Sequence, residues 1–274
     1  SPGPPPPERQ AAETTERLGD PLLESIADLR SGNVSRIRRT LASREVSAEL
    51  VPHVVELLRN EDLVKDVLNA LRPVATSSAG FLVDVLIDPM RPSRVRRRIP
   101  IILGYSHSDL AEAGLLTALR DRDWDVRFRA AQGLDKMTRT RGKLGISPDR
   151  LQNAMIAELN ALQELPSTHH PTAKRRLELV FLLIGIGDDP ETVDLCWRAV
   201  HSDDRQIKGT AVEYLENLVP ADIWQLLLPQ LDLESAAESG SKGSGEKAAA
   251  TLHSAADKLK DVKITTDRTD ENTE

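Results

Sequence analysis

The sequence predicts an all-α protein, an α-solenoid of about six helix pairs with flexible segments at its N- and C-terminal ends. The first observation is composition: 39% of the 274 residues are hydrophobic but only 3% are aromatic, and Leu, Ala, Arg, Glu and Asp dominate. This mixture favours helices over sheets. The second observation is a pattern that recurs along the chain, and the third is a pair of low-complexity segments that enclose it.

The recurring pattern is an apolar, usually β-branched residue followed by a base, early in a predicted helix. An apolar helical segment and a short polar turn come before each copy. Successive copies are 27, 31, 31, 47 and 34 residues apart. The copies are Ile37-Arg38, Val64-Lys65, Val95-Arg96, Val126-Arg127, Ala173-Lys174 and Ile207-Lys208. One helix pair cannot bury its apolar stripe alone, so a repeat of this length predicts stacked pairs with a shared core.

The elements follow in order along the chain. Residues 1–19 are Pro-rich and predict a disordered linker, and residues 20–233 form the solenoid. A proline after a capping side chain predicts helix starts at Asp20-Pro21, Ser147-Pro148 and Asp189-Pro190. A longer loop is expected over residues 140–148, and a last helix near 221–231 is expected to close the stack.

Two segments follow the predicted stack. Residues 234–246 are a Ser/Gly linker, and residues 247–274 are predicted to form a short amphipathic helix and a disordered tail. Leu252, Ala256 and Leu259 share one face of that helix with Val262. The chain does not begin with Met and opens with SPGPPPP, so we expect it to be a piece of a longer protein.

Charge and cysteine content narrow the classes of function. The chain has 36 basic and 43 acidic residues and a formal net charge of −7, which argues against a general nucleic-acid coat, so no nucleic acid is expected as a partner. Cys196 is the single cysteine, which excludes an internal disulfide and suits the cytoplasm. The longest apolar run, residues 179–186, is too short to span a bilayer.

The unit "apolar helix, D-x-D-x-x-V-R, apolar helix", formed by Asp121, Asp123, Val126 and Arg127, resembles the HEAT repeat. The segments at 94–103, 121–137, 175–186 and 207–220 are similar to those of bacterial HEAT-repeat proteins, over roughly residues 47–232. In several of those proteins the repeats follow a membrane domain that looks like a nucleotide or major-facilitator transporter. The resemblance therefore implies six HEAT-like pairs, the first of them divergent, in a larger polypeptide at the cytoplasmic face of a membrane.

The acidic and basic residues around Asp121–Arg129 permit two interpretations. One is acid–base catalysis or phosphate binding. The other is structural: the acids cap the second helix, and each anchor base pairs with acids of the adjacent repeat to form a ladder. Recurrence at several anchors favours the structural interpretation, because a catalytic site is not copied along a chain.

Basic clusters and one tryptophan are the candidate interaction residues. If bases of adjacent second helices align, they form a surface for an acidic peptide, phosphates or lipid headgroups. In the alternative interpretation, these bases are solvated or pair with acids of the ladder. Trp124 lies in a predicted turn, and two interpretations are open: contact with a partner, or packing in the core. The candidates are Arg94, Arg96, Arg97, Arg98, Trp124, Arg127, Arg129, Lys174, Arg175, Arg176 and Lys208.

Motifs for catalysis, cofactors and metals are missing from the sequence. It has no H-E-x-x-H, no G-x-S-x-G and no G-x-x-x-x-G-K, so no catalytic, cofactor-binding or metal residue is assigned. His169-His170 precedes Pro171 in a predicted loop, and Cys196 beside Trp197 is expected to be packed in the core.

The leading hypothesis is a non-enzymatic scaffold or interaction module that binds a protein segment, from another chain or from a covalently linked domain. An anionic membrane surface is a further candidate partner. The alternatives are a regulatory domain that senses anionic lipid or nucleotide, or a solenoid enzyme such as a chromophore lyase or a DNA glycosylase. The acidic net charge and the few aromatic residues argue against the glycosylase.

Overall fold

A computed structural model describes residues 20–43, 45–165, 171–231 and 245–259, and every regular element in these ranges is helical. The predictions for residues 1–19, 234–244 and 260–274, and for His169-His170, lie outside the described residues. Within these ranges, none of the helices combines the length and the hydropathy that crossing a bilayer requires.

The helices are short in the first half of the chain and longer in the second. Three 3-10 turns, Leu57–Arg59, Glu61–Leu63 and Leu228–Gln230, adjoin them. The α-helices are α1 (Pro21–Leu29), α2 (Val34–Ser43), α3 (Val51–Glu56), α4 (Val64–Leu71), α5 (Ala79–Ile87), α6 (Ser93–Arg96), α7 (Ile99–Leu103), α8 (Asp109–Ala118), α9 (Trp124–Arg141), α10 (Pro148–Gln163), α11 (Pro171–Gly187), α12 (Pro190–Val200), α13 (Arg205–Leu218), α14 (Ala221–Leu227), α15 (Gly245–Ser254) and α16 (Ala256–Leu259).

The three helix starts predicted from capping residues are confirmed. The Asp20 carboxylate accepts a hydrogen bond from the Leu22 N–H at 2.9 Å. Asp189 accepts from the N–H groups of the second and third residues of α12 in the same way. Ser147 occupies the N-cap position before Pro148, but its side chain makes no capping bond. Proline at the first position and a side-chain acceptor before it therefore fix where α1 and α12 begin.

Helices that are neighbours in sequence pack in pairs, except that α5 pairs with α7, which follows the four-residue α6. The contacting pairs are α1 with α2, α3 with α4, α5 with α7, α8 with α9, α10 with α11, and α12 with α13. The second members also contact one another in sequence order from α2 through α4, α7 and α9 to α11. Each of these helices therefore buries one face against its own partner and another against an adjacent pair.

The apolar residues of the repeated pattern are buried to the same degree. Ile37, Val64, Val95, Val126 and Ile207 are each 7% exposed or less. Four of these residues lie within the first four positions of the second helix of a pair, and Val95 lies in α6, directly before α7. The recurring motif therefore marks similar places in one shared core.

Glycine allows the close approach of α7 and α9. A Cβ atom on Gly133 would lie 2.8 Å from the carbonyl oxygen of Pro100 and about as close to the Leu115 methyl groups, at 3.1 and 3.2 Å. Real Cβ atoms almost never come that near to a backbone oxygen, so the side-chain hydrogen of glycine is what lets the two helices contact here.

The C-terminal part of the chain differs from the prediction. The predicted helix near 221–231 is present as α14 and the 3-10 turn that follows it, and α14 packs against α10 and α13. A further helix, α15, packs against α12 and α13. Leu252 and Leu259 are fully buried there. The amphipathic segment therefore begins at Gly245, within the predicted linker, and covers the last helix pair. The long loop is also shorter than expected, because α9 continues to Arg141.

Candidate interaction surface

The turn before α9 is built from acidic residues that accept backbone hydrogen bonds. Asp121 accepts from the Asp123 N–H at 2.9 Å, and Asp123 is the N-cap of α9 and accepts from the Asp125 N–H at 2.8 Å. The hydroxyl of Ser93, at the start of α6, also donates to Asp123. The expectation that acids cap the second helix is confirmed for Asp123, and its hydrogen bond from Ser93 links α9 to the adjacent pair.

The environment of Asp123 keeps its carboxyl group ionised. Burial by itself would raise the pKa of Asp123. This effect is outweighed by hydrogen bonds from the Ser93 hydroxyl and from the N–H groups of Asp125 and Val126, and by the nearby charge of Arg96. The pKa of Asp123 is therefore lower than usual. A lowered pKa in the folded state stabilises the fold above the ordinary Asp pKa of about 3.9, and this contribution is lost as the pH falls through the folded value.

Replacing Asp123 with alanine is expected to lower the free energy of unfolding at pH 7 by about 1 kcal/mol, because α9 loses its N-cap. The difference between Asp123→Ala and the wild type should begin to shrink near pH 4, where Asp123 of the unfolded wild type takes up protons, and should be lost below the lowered pKa of the folded state. Urea denaturation at pH 7, 5, 4 and 3, followed by circular dichroism, measures both effects. A difference that stays constant down to pH 3 would contradict the assignment.

A first set of charged residues is largely buried and runs from one helix pair to the next. We call it the buried row: Arg96, Asp121, Arg127, Glu158 and Arg176. Arg96 donates to the Leu86 carbonyl oxygen at 2.9 Å and to Asp121. Glu158 on α10 accepts from Arg127 Nε and from Arg176 Nη1, each at 2.6 Å.

The buried row confirms the predicted ladder at two anchors, Arg96 and Arg127, whose acidic partners belong to the following pair. A third anchor base, Arg38, pairs with Asp66 at 2.8 Å across α2 and α4. Arg98 is also structural, since it is 3% exposed and donates to the Leu58 carbonyl oxygen and to Glu61. The guanidinium groups of Arg96 and Arg98 thus face protein atoms.

A second set of charged residues lies at the surface beside Trp124. We call it the Trp124 patch: Arg94, Arg97, Trp124, Asp125 and Arg175. The Asp125 carboxylate lies 3.7 Å from Arg97 Nη1 and 3.5 Å from Arg175 Nη2. The half-buried Trp124 ring stacks on Phe128 with centroids 5.0 Å apart, and the Arg175 guanidinium carbon lies 4.5 Å from the Trp124 centroid.

Arg94 extends the patch, because it is exposed and lies one turn before Arg97. Among the described residues Arg94 forms no ion pair. The patch therefore has three arginines and one carboxylate. Of the remaining candidates, Arg129 donates to Gln132 at 3.1 Å, and Lys174 and Lys208 are half-buried on α11 and α13.

Sequence reasoning missed three contributors. Glu158 is a buried carboxylate, and its signal was a position on the apolar face of α10, between Met155 and Leu162. Phe128, the stacking partner of Trp124, follows from the four-residue spacing within α9. Asp125 was interpreted as a capping acid, whereas its carboxylate faces two arginines of neighbouring pairs, which local spacing does not reveal.

Groups typical of catalysis do not converge in the described part of the chain. Cys196 is fully buried, and burial raises the pKa of its thiol well above the usual range. Across the described ranges, no three side chains of His, Cys, Asp or Glu are placed to hold a metal ion. The arrangement with clear chemistry is an exposed patch of arginines and an aromatic ring, which suits binding.

A scan against protein-family models and a search of curated proteins both found no match to this chain. Proposals about function therefore rest on the residues described above.

Proposed function

We propose that the chain is an α-solenoid of HEAT-like helix pairs that acts as a non-enzymatic interaction module. Three features support the proposal: the packing of sequence neighbours in pairs, the contacts between second helices, and the equal burial of the anchor residues. A stack of this kind offers a long surface made from side chains of several pairs, and such surfaces bind protein segments.

We propose the Trp124 patch as the surface that binds. The observation that carries this proposal is the exposed Arg175 side chain stacked on Trp124, together with the half-buried Arg97 and the exposed Arg94. Arginine and tryptophan are the residue types that most often dominate binding energy at protein interfaces. The stack also holds the Arg175 guanidinium in one place, so less side-chain entropy is lost when a partner binds.

The proposed partner is a protein segment, supplied by another chain or by another domain of a larger polypeptide. A reducing compartment such as the cytoplasm suits a chain whose single thiol is buried and unpaired. The net charge of −7 disfavours nucleic acid as the partner.

A photo-reactive amino acid in place of Arg122 tests the proposed surface, since this exposed residue lies in the turn beside Trp124. In cells that produce the protein, we expect cross-linked adducts from position 122. The same amino acid at the exposed Leu23 on α1 is the matched control and should give none of these adducts.

The second step is the variant Arg175→Gln in the chain that carries the cross-linker at position 122. We expect it to reduce the adduct by about fivefold, as loss of one charged contact does at a small interface. Mass spectrometry of the adduct identifies the partner segment. Equal adducts from positions 122 and 23, no adduct from position 122, or no effect of Arg175→Gln would each contradict the proposal.

A further inference from the structure

We infer that the partner segment is acidic, and that Asp125 is a counter-ion within the Trp124 patch which a carboxylate of the partner displaces. This inference rests on the proposed function and adds the chemistry of the partner to it. It predicts an unusual property: removing a negatively charged residue from inside the binding surface should strengthen binding.

The geometry of Asp125 shows why displacement is possible. Its carboxylate lies 3.7 Å from Arg97 and 3.5 Å from Arg175, beyond the length of a normal hydrogen bond. The three side chains are 39–51% exposed, so water screens the attraction between them. Breaking these two contacts costs little, and a carboxylate from a partner could hydrogen-bond directly with the same guanidinium groups.

The buried row provides the contrast within the same helices. Glu158 is 5% exposed and makes two hydrogen bonds of 2.6 Å, so displacing it would leave buried arginines without a counter-ion. Arg127 and Arg176 are therefore held in place by their hydrogen bonds to Glu158. Arg97 and Arg175, which share the exposed carboxylate, can exchange one anion for another.

An acidic peptide fits this patch better than a membrane or a nucleic acid. The patch has three arginines, but the chain as a whole has a net charge of −7, so an extended anionic surface would be repelled by the rest of the protein. Phe128 stacks on the Trp124 ring and Arg175 lies over it, which leaves little aromatic surface for a nucleobase to stack on. A peptide has a footprint small enough to contact the patch alone.

The test uses the full chain and a fluorescein-labelled peptide, Glu-Glu-Leu-Glu-Glu-Leu-Glu-Glu, in fluorescence anisotropy at low salt. We expect Asp125→Asn to lower the Kd by about threefold or more, and Arg175→Gln or Arg97→Gln to raise it by a similar factor, as expected for exposed charge contacts. Binding should weaken as salt is added.

The matched control is Asp109→Asn. Asp109 is 97% exposed, and its carboxylate lies 3.3 Å from Arg141 Nη2. Neither residue belongs to the patch, and the replacement of Asp109 removes the same charge. We expect Asp109→Asn to change the Kd by less than about 1.5-fold. An equal gain from Asp125→Asn and Asp109→Asn would show a general charge effect only and would overturn the inference, as would no gain from Asp125→Asn. Circular dichroism of each variant checks that the fold is intact.

A third arm separates partner classes. Vesicles of phosphatidylcholine with phosphatidylserine, and inorganic phosphate, are offered to the same variants. Binding to vesicles that depends on Arg175, with none to the peptide, would overturn the acidic-peptide partner in favour of a membrane. A cross-link from position 122 to a segment without acidic residues would leave the proposed surface intact and overturn this inference alone. Absence of both the cross-link and peptide binding would reject the two together.

Discussion

Replacement of Glu158 with alanine is expected to lower the free energy of unfolding by about 3 kcal/mol, the largest effect of any single exchange considered for this protein. The carboxylate is buried and accepts from Arg127 and Arg176, which are themselves only 17% and 19% exposed. Without Glu158, the guanidinium groups of Arg127 and Arg176 remain poorly hydrated and lack their shared counter-ion. Losing one partner of a buried ion pair costs about 3–5 kcal/mol, and the remaining exposure of the arginines places this case at the lower end.

Urea denaturation monitored by circular dichroism measures the effect of Glu158→Ala. Asp109→Ala is the control, since that carboxylate also pairs with an arginine but is almost fully exposed, and we expect a loss below about 0.5 kcal/mol. The double variant Glu158→Ala/Arg176→Met should recover part of the loss, because one unpaired cation is removed. A Glu158→Ala protein as stable as Asp109→Ala would show that the contacts of Glu158 with Arg127 and Arg176 contribute nothing to the fold.

Replacement of Gly133 with alanine is the second large effect, and we expect a net loss of about 1–2 kcal/mol. The added methyl group would lie 2.8 Å from the Pro100 carbonyl oxygen, so α7 and α9 must move apart. Overpacking of this kind costs about 1–3 kcal/mol. Alanine recovers about 0.5–1 kcal/mol of this through its better helix propensity, which leaves a net destabilisation.

Gly80→Ala is the matched control for this exchange. Gly80 lies in α5, and a Cβ atom there would meet no other atom within 4 Å. The same substitution should therefore raise the free energy of unfolding by about 0.4–1 kcal/mol. Thermal and urea denaturation of both variants measure whether each exchange raises or lowers the free energy of unfolding. If both exchanges stabilise the protein, α7 and α9 do not approach each other as described.

The helix pairs were predictable from the sequence because their signals are local. The capping residues Asp20 and Asp189 stand next to the prolines that begin α1 and α12. The anchor residues are buried because an apolar residue recurs at one place in each second helix. The ladder at Arg96 and Arg127 was predictable only as pairing of each base with the next helix pair, because its acids, Asp121 and Glu158, lie 25 and 31 residues after their bases.

The candidate surface was only partly predictable, because its key contacts join residues that are distant in the sequence. Arg97, Asp125 and Arg175 come from three helix pairs, and their proximity depends on how α6, α9 and α11 are rotated against one another. The clusters at 94–98 and 174–176 each contain both kinds of arginine, buried and exposed. Successive helical residues point about 100° apart, so adjacent arginines have opposite roles.

The covering of α12 and α13 by α15 makes one face of these two helices inaccessible to other chains. An uncovered apolar face on a helix pair can bind an identical chain head to tail, and such contacts can continue without limit, as in a filament. Here that face is occupied by the same polypeptide, with Leu252 and Leu259 removed from water and His253 Nε2 lying 3.0 Å from the Thr192 hydroxyl oxygen. Another chain can pack against this face of α12 and α13 only after α15 has moved away and exposed Leu252 to water, which costs free energy.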